Sequence, residues 1–177
     1  MQYISLLRGI NVGGQKKVPM QQLKGLYEKL GFTGVQTYIQ SGNVIFTSNE
    51  KDAAKLREKI EGAIKKEFGF EVLVFIRTKD DFEKIVKNNP FTKQETESTY
   101  VTLLSQAPAE IPADLDKFKA PNDKYKIIND VIYFYCPDGY GKTKLSNNLF
   151  EKKLNVNATT RNWNTINKLI QIAISGL

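Results

Sequence analysis

The chain has 177 residues, 41% hydrophobic and 25% charged, with 26 Lys+Arg against 19 Asp+Glu for a formal net charge of +7. That composition is globular and argues against disorder; no apolar run approaches the roughly 20 residues of a bilayer span, and the length fits one large domain or two small ones. Histidine is absent and Cys136 is the single cysteine, which excludes Ser-His-Asp and Cys-His nucleophiles, imidazole ligands, an internal disulfide and a thiolate metal cage, so neither metal nor cofactor is expected.

The first apolar run, Tyr3 to Leu7, lacks the basic lead-in and small-residue cleavage site of an export signal, and the expected location is cytoplasmic. It reads as a buried strand, ended by the glycine-rich stretch Gly9 to Gly14. Pro19 suits a first helical position, Leu23, Leu26, Tyr27 and Leu30 recur at helical spacing, and Gly31 supplies the stop. Val35 to Ile39 and Asn43 to Thr47, joined by Gln40-Ser41-Gly42, read as a hairpin. A second helix, capped by Ser48 or Asn49, puts Ala53, Leu56, Ile60, Ala63 and Ile64 on one face and closes at Gly69. Val72 to Ile76 then completes strand, helix, strand, strand, helix, strand, the ferredoxin-like plait.

A short helix near Asp80 to Val86, capped by Thr78, leads into a polar connection, after which the order repeats. Tyr100 to Leu104 reads as a strand, Pro112 to Phe118 as a short helix, and Lys124 to Ile128 with Val131 to Cys136 as a hairpin turning at Asn129-Asp130. Leu145 to Leu154 reads as a helix, Ala158 to Thr160 as an edge strand, and a last helix carries Trp163, Ile166, Ile170, Ala173 and Ile174 on one face. The expected fold is therefore α+β, an alpha/beta plait of two tandem ferredoxin-like βαββαβ-type units: residues 1–78, then residues 79–177 with a linker helix and a C-terminal helix. No amino-acid repeat relates the halves; the tandem reading rests on element order.

Charge is uneven. Residues 1–77 and 139–177 each carry a net +5, and residues 78–138 between them carry −3. Helix starts carry partial positive charge and favour acids, yet Lys16 and Lys17 precede the Pro19 helix, Lys142 and Lys144 the Leu145 helix, and Arg161 the Trp163 helix. In place of carboxylates these three starts offer amides and hydroxyls, and a helix start with an added cation suits an anion. The loop Arg8 to Lys17 lacks the G-x-G-x-x-G spacing of a dinucleotide site, and Gly139-Tyr140-Gly141-Lys142-Thr143 ends like a phosphate loop but has Cys136 where the opening glycine belongs.

The candidate ligand-binding residues are Arg8, Asn11, Lys16, Lys17, Tyr38, Gln40, Ser41 and Asn43 from the first unit, with Lys142, Lys144, Arg161 and Asn162 from the second. Together they are expected to bind a phosphate-bearing small molecule, a nucleotide or sugar phosphate, or a nucleic-acid segment, in a basic cleft between the units. No catalytic residue is indicated. A metal-dependent or charge-stabilised phosphoryl or nucleotidyl transferase is one alternative, and a protein-interaction module using the acidic middle segment is another.

Three stretches carry a resemblance: Ile4-Ser5-Leu6-Leu7-Arg8-Gly9-Ile10-Asn11-Val12-Gly13-Gly14; Thr37-Tyr38-Ile39-Gln40-Ser41-Gly42-Asn43-Val44; and Leu145-Ser146-Asn147-Asn148 with Ala158-Thr159-Thr160-Arg161-Asn162-Trp163. Over nearly its whole length the chain resembles the bacterial family catalogued as domain of unknown function 1697. The resemblance implies two ferredoxin-like units in tandem and assigns neither an activity nor catalytic residues.

Overall fold

The elements fall into two four-stranded antiparallel sheets, and the computed structural model describes residues 1–176. The first contains β1 (Gln2–Leu7), α1 (Met20–Lys29), β2 (Thr33–Tyr38), β3 (Asn43–Thr47), α2 (Ala53–Phe68) and β4 (Val74–Thr78), with sheet order β2-β3-β1-β4. Then follow α3 (Lys79–Lys87), β5 (Thr99–Leu104), β6 (Lys124–Ile128), β7 (Val131–Tyr135), α4 (Asn147–Leu154), β8 (Ala158–Asn162) and α5 (Trp163–Ser175). The second sheet repeats the first's arrangement as β6-β7-β5-β8. The fold is α+β, with two βαββαβ-like layers and a C-terminal helix. Residues Met1–Lys84 and those from Lys168 onward form one compact unit and Ile85–Asn167 the other, so the divisions fall inside α3 and α5. No helix among the described residues is long and apolar enough to cross a membrane.

In the first unit, Leu23, Leu26 and Tyr27 of α1 and Leu56, Ile60 and Ile64 of α2 share one core with Tyr3, Leu7, Val44, Phe46, Val74 and Ile76. Alternation along each strand and helical spacing along each helix put those residues on facing surfaces. Phe46 is the hub: its ring stacks on Tyr3 at 5.6 Å, tilts against Phe32 at 4.6 Å and meets Tyr27 edge-on at 5.3 Å. The Tyr27 hydroxyl is buried and bonded to Ser5 Oγ at 2.9 Å, and burial drives its pKa well above the phenol range. Ile4 and Leu6, on the opposite face of β1, are buried too, which is why that strand reads as an apolar run interrupted only by Ser5.

Helix ends follow local chemistry. Gly69 closes α2 in the left-handed conformation (φ 80°) and donates its N–H to the Lys65 carbonyl. Its N-cap is Asp52 rather than Ser48 or Asn49, because the Asp52 carboxylate accepts from Ala54 and Lys55, while Ser48 Oγ accepts instead from Glu50 N–H at 3.1 Å. Thr78 caps α3 as the sequence indicates: its Oγ accepts from Asp81 N–H and the Asp81 carboxylate accepts from Thr78, a reciprocal box that joins β4 to α3 directly.

The second unit departs from the first at its first crossover. Where a short helix is expected over Pro112 to Phe118, the chain makes only a 3-10 turn, Leu115–Phe118. Pro121 and the restriction it places on Ala120 stop any continuation of this turn beyond Lys119. Leu115 still plugs the core beside Ile132, Phe134, Phe150 and Cys136. At the C-terminus Trp163, Ile166, Ile170 and Ala173 are buried as their spacing indicates, but Ile174 is exposed.

Two predictions arise from this packing. Gly42 sits at φ +79°, and a Cβ there would lie 2.6 Å from Ile10 Cδ1 and 2.8 Å from Leu7 Cβ. Gly42→Ala is expected to cost about 2–4 kcal/mol, combining left-handed strain with overpacking, and to lower the urea midpoint at unchanged m-value. Cys136 is buried, and its thiol is pushed up to about 12, first by burial and then by the Asp123 carboxylate it faces. Native protein is therefore expected to resist thiol labelling near pH ~8 and to react fully once denatured. Because folding raises this pKa, its contribution to stability is whole below about pH 9 and is lost as pH climbs towards about 12; Cys136→Ala should flatten part of the alkaline decline in urea titrations.

Candidate functional site

The loop leaving β1 is held by left-handed backbone at Gly9, Asn11, Gly13, Gly14 and Lys16. Asn11 organises it. Its Nδ2 donates to the carbonyls of Val18 (2.9 Å) and Gln40 (2.8 Å), its Oδ1 accepts from Val18 N–H (2.8 Å), and its own N–H donates to the Lys16 carbonyl (3.1 Å). Asparagine is the side chain that tolerates left-handed φ while bonding nearby backbone. One residue thus closes the loop and ties it to the β2–β3 hairpin. Asn43, fully buried, does the same inside the hairpin, its Nδ2 donating to the Tyr38 carbonyl and to Ser41 Oγ, both at 2.9 Å.

Seven of the eight candidates in this unit are therefore tied into the fold or line one cavity. Asn11, Ser41 and Asn43 are hydrogen-bonded framework, and Tyr38 and Gln40 contribute backbone carbonyls to it. Lys16 donates from Nζ to the Glu71 carbonyl at 2.7 Å, and Arg8 fixes its N–H to the Leu73 carbonyl at 2.9 Å. Arg8 and Lys16 line a cavity of about 650 Å³ with Glu58, Glu61, Lys65 and Glu71. Lys65 and Glu71 pair at 2.8 Å, which raises the lysine pKa and, with Lys16 nearby, holds the Glu71 carboxyl below the usual range. Lys17 is exposed and its amine makes no bond among the described residues. The four carboxylate and amine groups of α2 and the following turn escaped sequence reasoning. Glu58, Glu61 and Lys65 do recur at helical spacing, but only the fold sets Glu71 opposite them.

In the second unit, Tyr140 anchors the loop before α4 by packing its ring on Tyr100 at 4.9 Å and Phe134 at 5.8 Å. Lys142 and Lys144 flank Thr143 in this loop, both exposed, and neither amine bonds a partner among the described residues. Thr143 Oγ accepts from Leu145 N–H at 3.1 Å and Ser146 Oγ caps α4 by accepting from Leu149 N–H at 3.3 Å. The helix therefore begins at Asn147, two residues later than its apolar spacing indicates, with no carboxylate in its first turn. Asn147 Oδ1 accepts from Thr160 Oγ (2.7 Å), itself bonded to Thr102 Oγ (2.7 Å), so α4 is pinned to β8 and β5.

Arg161 and Asn162 end β8 in different roles. Arg161 Nη1 donates to the Thr160 carbonyl (2.9 Å) and to Thr159 Oγ (3.2 Å), and burial lowers its pKa to about 10. It stays protonated at any physiological pH, so the shift expresses a cost of desolvation. Asn162 is the cap of α5, its Oδ1 accepting from Thr165 N–H at 2.8 Å.

Against known proteins, no match was found among the curated ones. Among solved structures the chain is similar to the conserved bacterial protein SP0830 from Streptococcus pneumoniae, with 26% identity, a TM-score of 0.74 and 97% of each chain covered. The family pattern that matches takes in the Arg8 loop and the β2–β3 hairpin but ends before the α4 loop and β8. Through residues 1–133 the chain belongs to the family described as a protein of unknown function, DUF1697.

Proposed function

We propose that the protein binds a phosphate-bearing ligand, a nucleotide, a sugar phosphate or a nucleic-acid segment, with Lys142 and Lys144 as its principal charged contacts. The observation that carries this reading is the pair of exposed, unbonded amines in a loop that opens onto a carboxylate-free helix start. The backbone N–H groups of that first turn and the helix dipole favour the same sign of ligand as the two lysines do. Tyr140, stacked on the sheet, gives the loop a fixed base, so ligand binding need not order the segment first. Lys17, before a first turn in α1 that also lacks acids, is a further cation of the same kind.

Thermal-shift and calorimetric titrations with nucleotides, sugar phosphates and a short oligonucleotide test the proposal. Charge-assisted bonds to phosphate are worth about 1.5–3 kcal/mol each, so Lys142→Ala with Lys144→Ala is expected to weaken binding at least about tenfold with the melting temperature of the free protein unchanged. A steep dependence of affinity on salt identifies nucleic acid, since the slope counts the phosphates contacted; a shallow one identifies a small ligand. Binding by none of these classes, or binding indifferent to both lysines, overturns the reading.

A further inference from the structure

The second sheet has an edge whose backbone groups the fold does not use. β6 is its outermost strand, paired with β7 alone in regular register from Lys124 opposite Tyr135 to Ile128 opposite Val131. On the other side of β7, the Asp130 carbonyl accepts from Leu104 N–H and the Cys136 N–H donates to the Ser98 carbonyl. Even-numbered residues of β7 therefore bond towards β5 and odd-numbered ones towards β6, so Lys124, Lys126 and Ile128 are the residues of β6 that bond β7. The N–H and C=O groups of Tyr125 and Ile127 point the other way, and they have no hydrogen-bond partner among the described residues.

The other sheet edges are built differently. The Val74 N–H of β4 is taken by the Glu61 carboxylate at 2.8 Å, and the Ala158 N–H of β8 by the Glu151 carboxylate at 3.0 Å. β2 breaks register between Thr33 and Gln36. A blunted or irregular edge is a poor template for a further strand, whereas a regular one with open backbone groups is a good one.

A groove of about 450 Å³ lies at the β6 edge, lined by Lys124 to Ile127 and, from the crossover before them, by Ile111, Asp116 and Lys119. The pleat puts Lys124 and Lys126 on one face of the strand and Tyr125 and Ile127 on the other. Both lysines are exposed, and neither amine bonds a partner among the described residues. Lys119 is already engaged, its Nζ donating to the Asp123 carbonyl at 3.3 Å. On the second face Tyr125 and Ile127 pack against the unit's core, the Tyr125 hydroxyl bonds the Asp116 carboxylate, and Ile111 in the groove wall is 51% exposed. The edge thus offers unpaired positive charge on one side of the pleat and apolar surface on the other. Lysines on an edge strand guard against pairing with a like copy, because a second β6 laid antiparallel on this one sets lysine opposite lysine. The same two charges favour a strand whose facing side chains are acidic.

We propose that the β6 edge takes an extended acidic segment of a partner protein as an added strand, with carboxylates opposite Lys124 and Lys126 and apolar side chains opposite Tyr125 and Ile127. Backbone bonds to Tyr125 and Ile127 hold the segment, and the two lysines select it. This stands apart from the phosphate reading, since it uses no residue of the α4 loop.

Fluorescence anisotropy on the whole protein tests it with three labelled peptides of about seven residues. One alternates glutamate and valine, one has lysine for each glutamate, and one is the glutamate peptide with every valine nitrogen methylated. The glutamate peptide is expected to bind at least about tenfold more tightly than either counterpart, the lysine peptide failing on charge and the methylated one on hydrogen bonding. Lys124→Glu with Lys126→Glu should reverse the preference between the glutamate and lysine peptides with the melting temperature little changed, whereas Lys142→Ala with Lys144→Ala should leave the preference as it is. In amide hydrogen exchange, saturating glutamate peptide should protect the Tyr125 and Ile127 N–H groups, while those of Lys124 and Lys126, already bonded to β7, change little. No binding of the glutamate peptide, equal binding of the methylated one, a preference unmoved by the double charge reversal, or unprotected amides at Tyr125 and Ile127 overturns the inference.

Discussion

The first unit depends on one side-chain amide. The crossover from β1 to α1 must reverse direction beside the β2–β3 hairpin, which leaves carbonyls at Val18 and Gln40 and an N–H at Val18 turned towards a partly buried corner. Asn11 answers all three with one carboxamide. Leaving the part-buried groups of this kind unpaired costs about 1–3 kcal/mol apiece, so that amide fixes the loop together with the buried side chains of Ile10 and Val18. The hairpin can then approach until Gly42 lies against Leu7 and Ile10, a distance at which no Cβ fits. The positions of Arg8 and Lys16 are consequences of this arrangement, because both flank a segment whose course Asn11 sets.

Polar side chains therefore have different structural uses in the loops of the two units. Gln40-Ser41-Gly42-Asn43 has more polar groups than a hairpin turn requires, and read alone they invite a ligand. In the structure Asn43 is buried and its amide bonds both the Tyr38 carbonyl and Ser41 Oγ. The loop before α4 is built differently. Its hydroxyls at Thr143 and Ser146 satisfy backbone donors, and its fixed point is an aromatic ring, so the lysines take no part in holding it together. A cation that the fold does not use is the one for which a ligand is the natural partner.

The architecture was legible because it is written in local rules. Nearly continuous apolar runs mark β1, β3 and β7, helical spacing marks α1, α2 and α5, and Gly69 and Thr78 mark ends that physical chemistry fixes within a few residues. The first crossover of the second unit was not legible in the same way, since Leu115 and Phe118 have helical spacing and the chain nevertheless makes only a 3-10 turn there. The candidate site was legible by residue type and not by role. Asn162 carries the signature of a polar ligand contact and of an N-cap equally, and only Thr165 N–H at 2.8 Å separates them. Glu71 carries no signature at all, because its significance comes from facing α2 across a turn.

Net charge is the property most easily over-read in such a chain. Residues 1–77 are basic in sum, yet the cations of the β1–α1 loop stand among glutamates, and Lys65 with Glu71 balances the rest of the same cavity. Screening confines the field of an exposed charge to about 8–10 Å at physiological salt, so a partner senses the charges beside it and not the total. The first unit's cavity brings both signs together, whereas the loop before α4 carries Lys142 and Lys144 with Asp138 at its start. The charge that each loop presents therefore follows in part from which carboxylates the helices bring to it. In α2 the acids of the polar stripe face the cavity; in α4 the first turn has none.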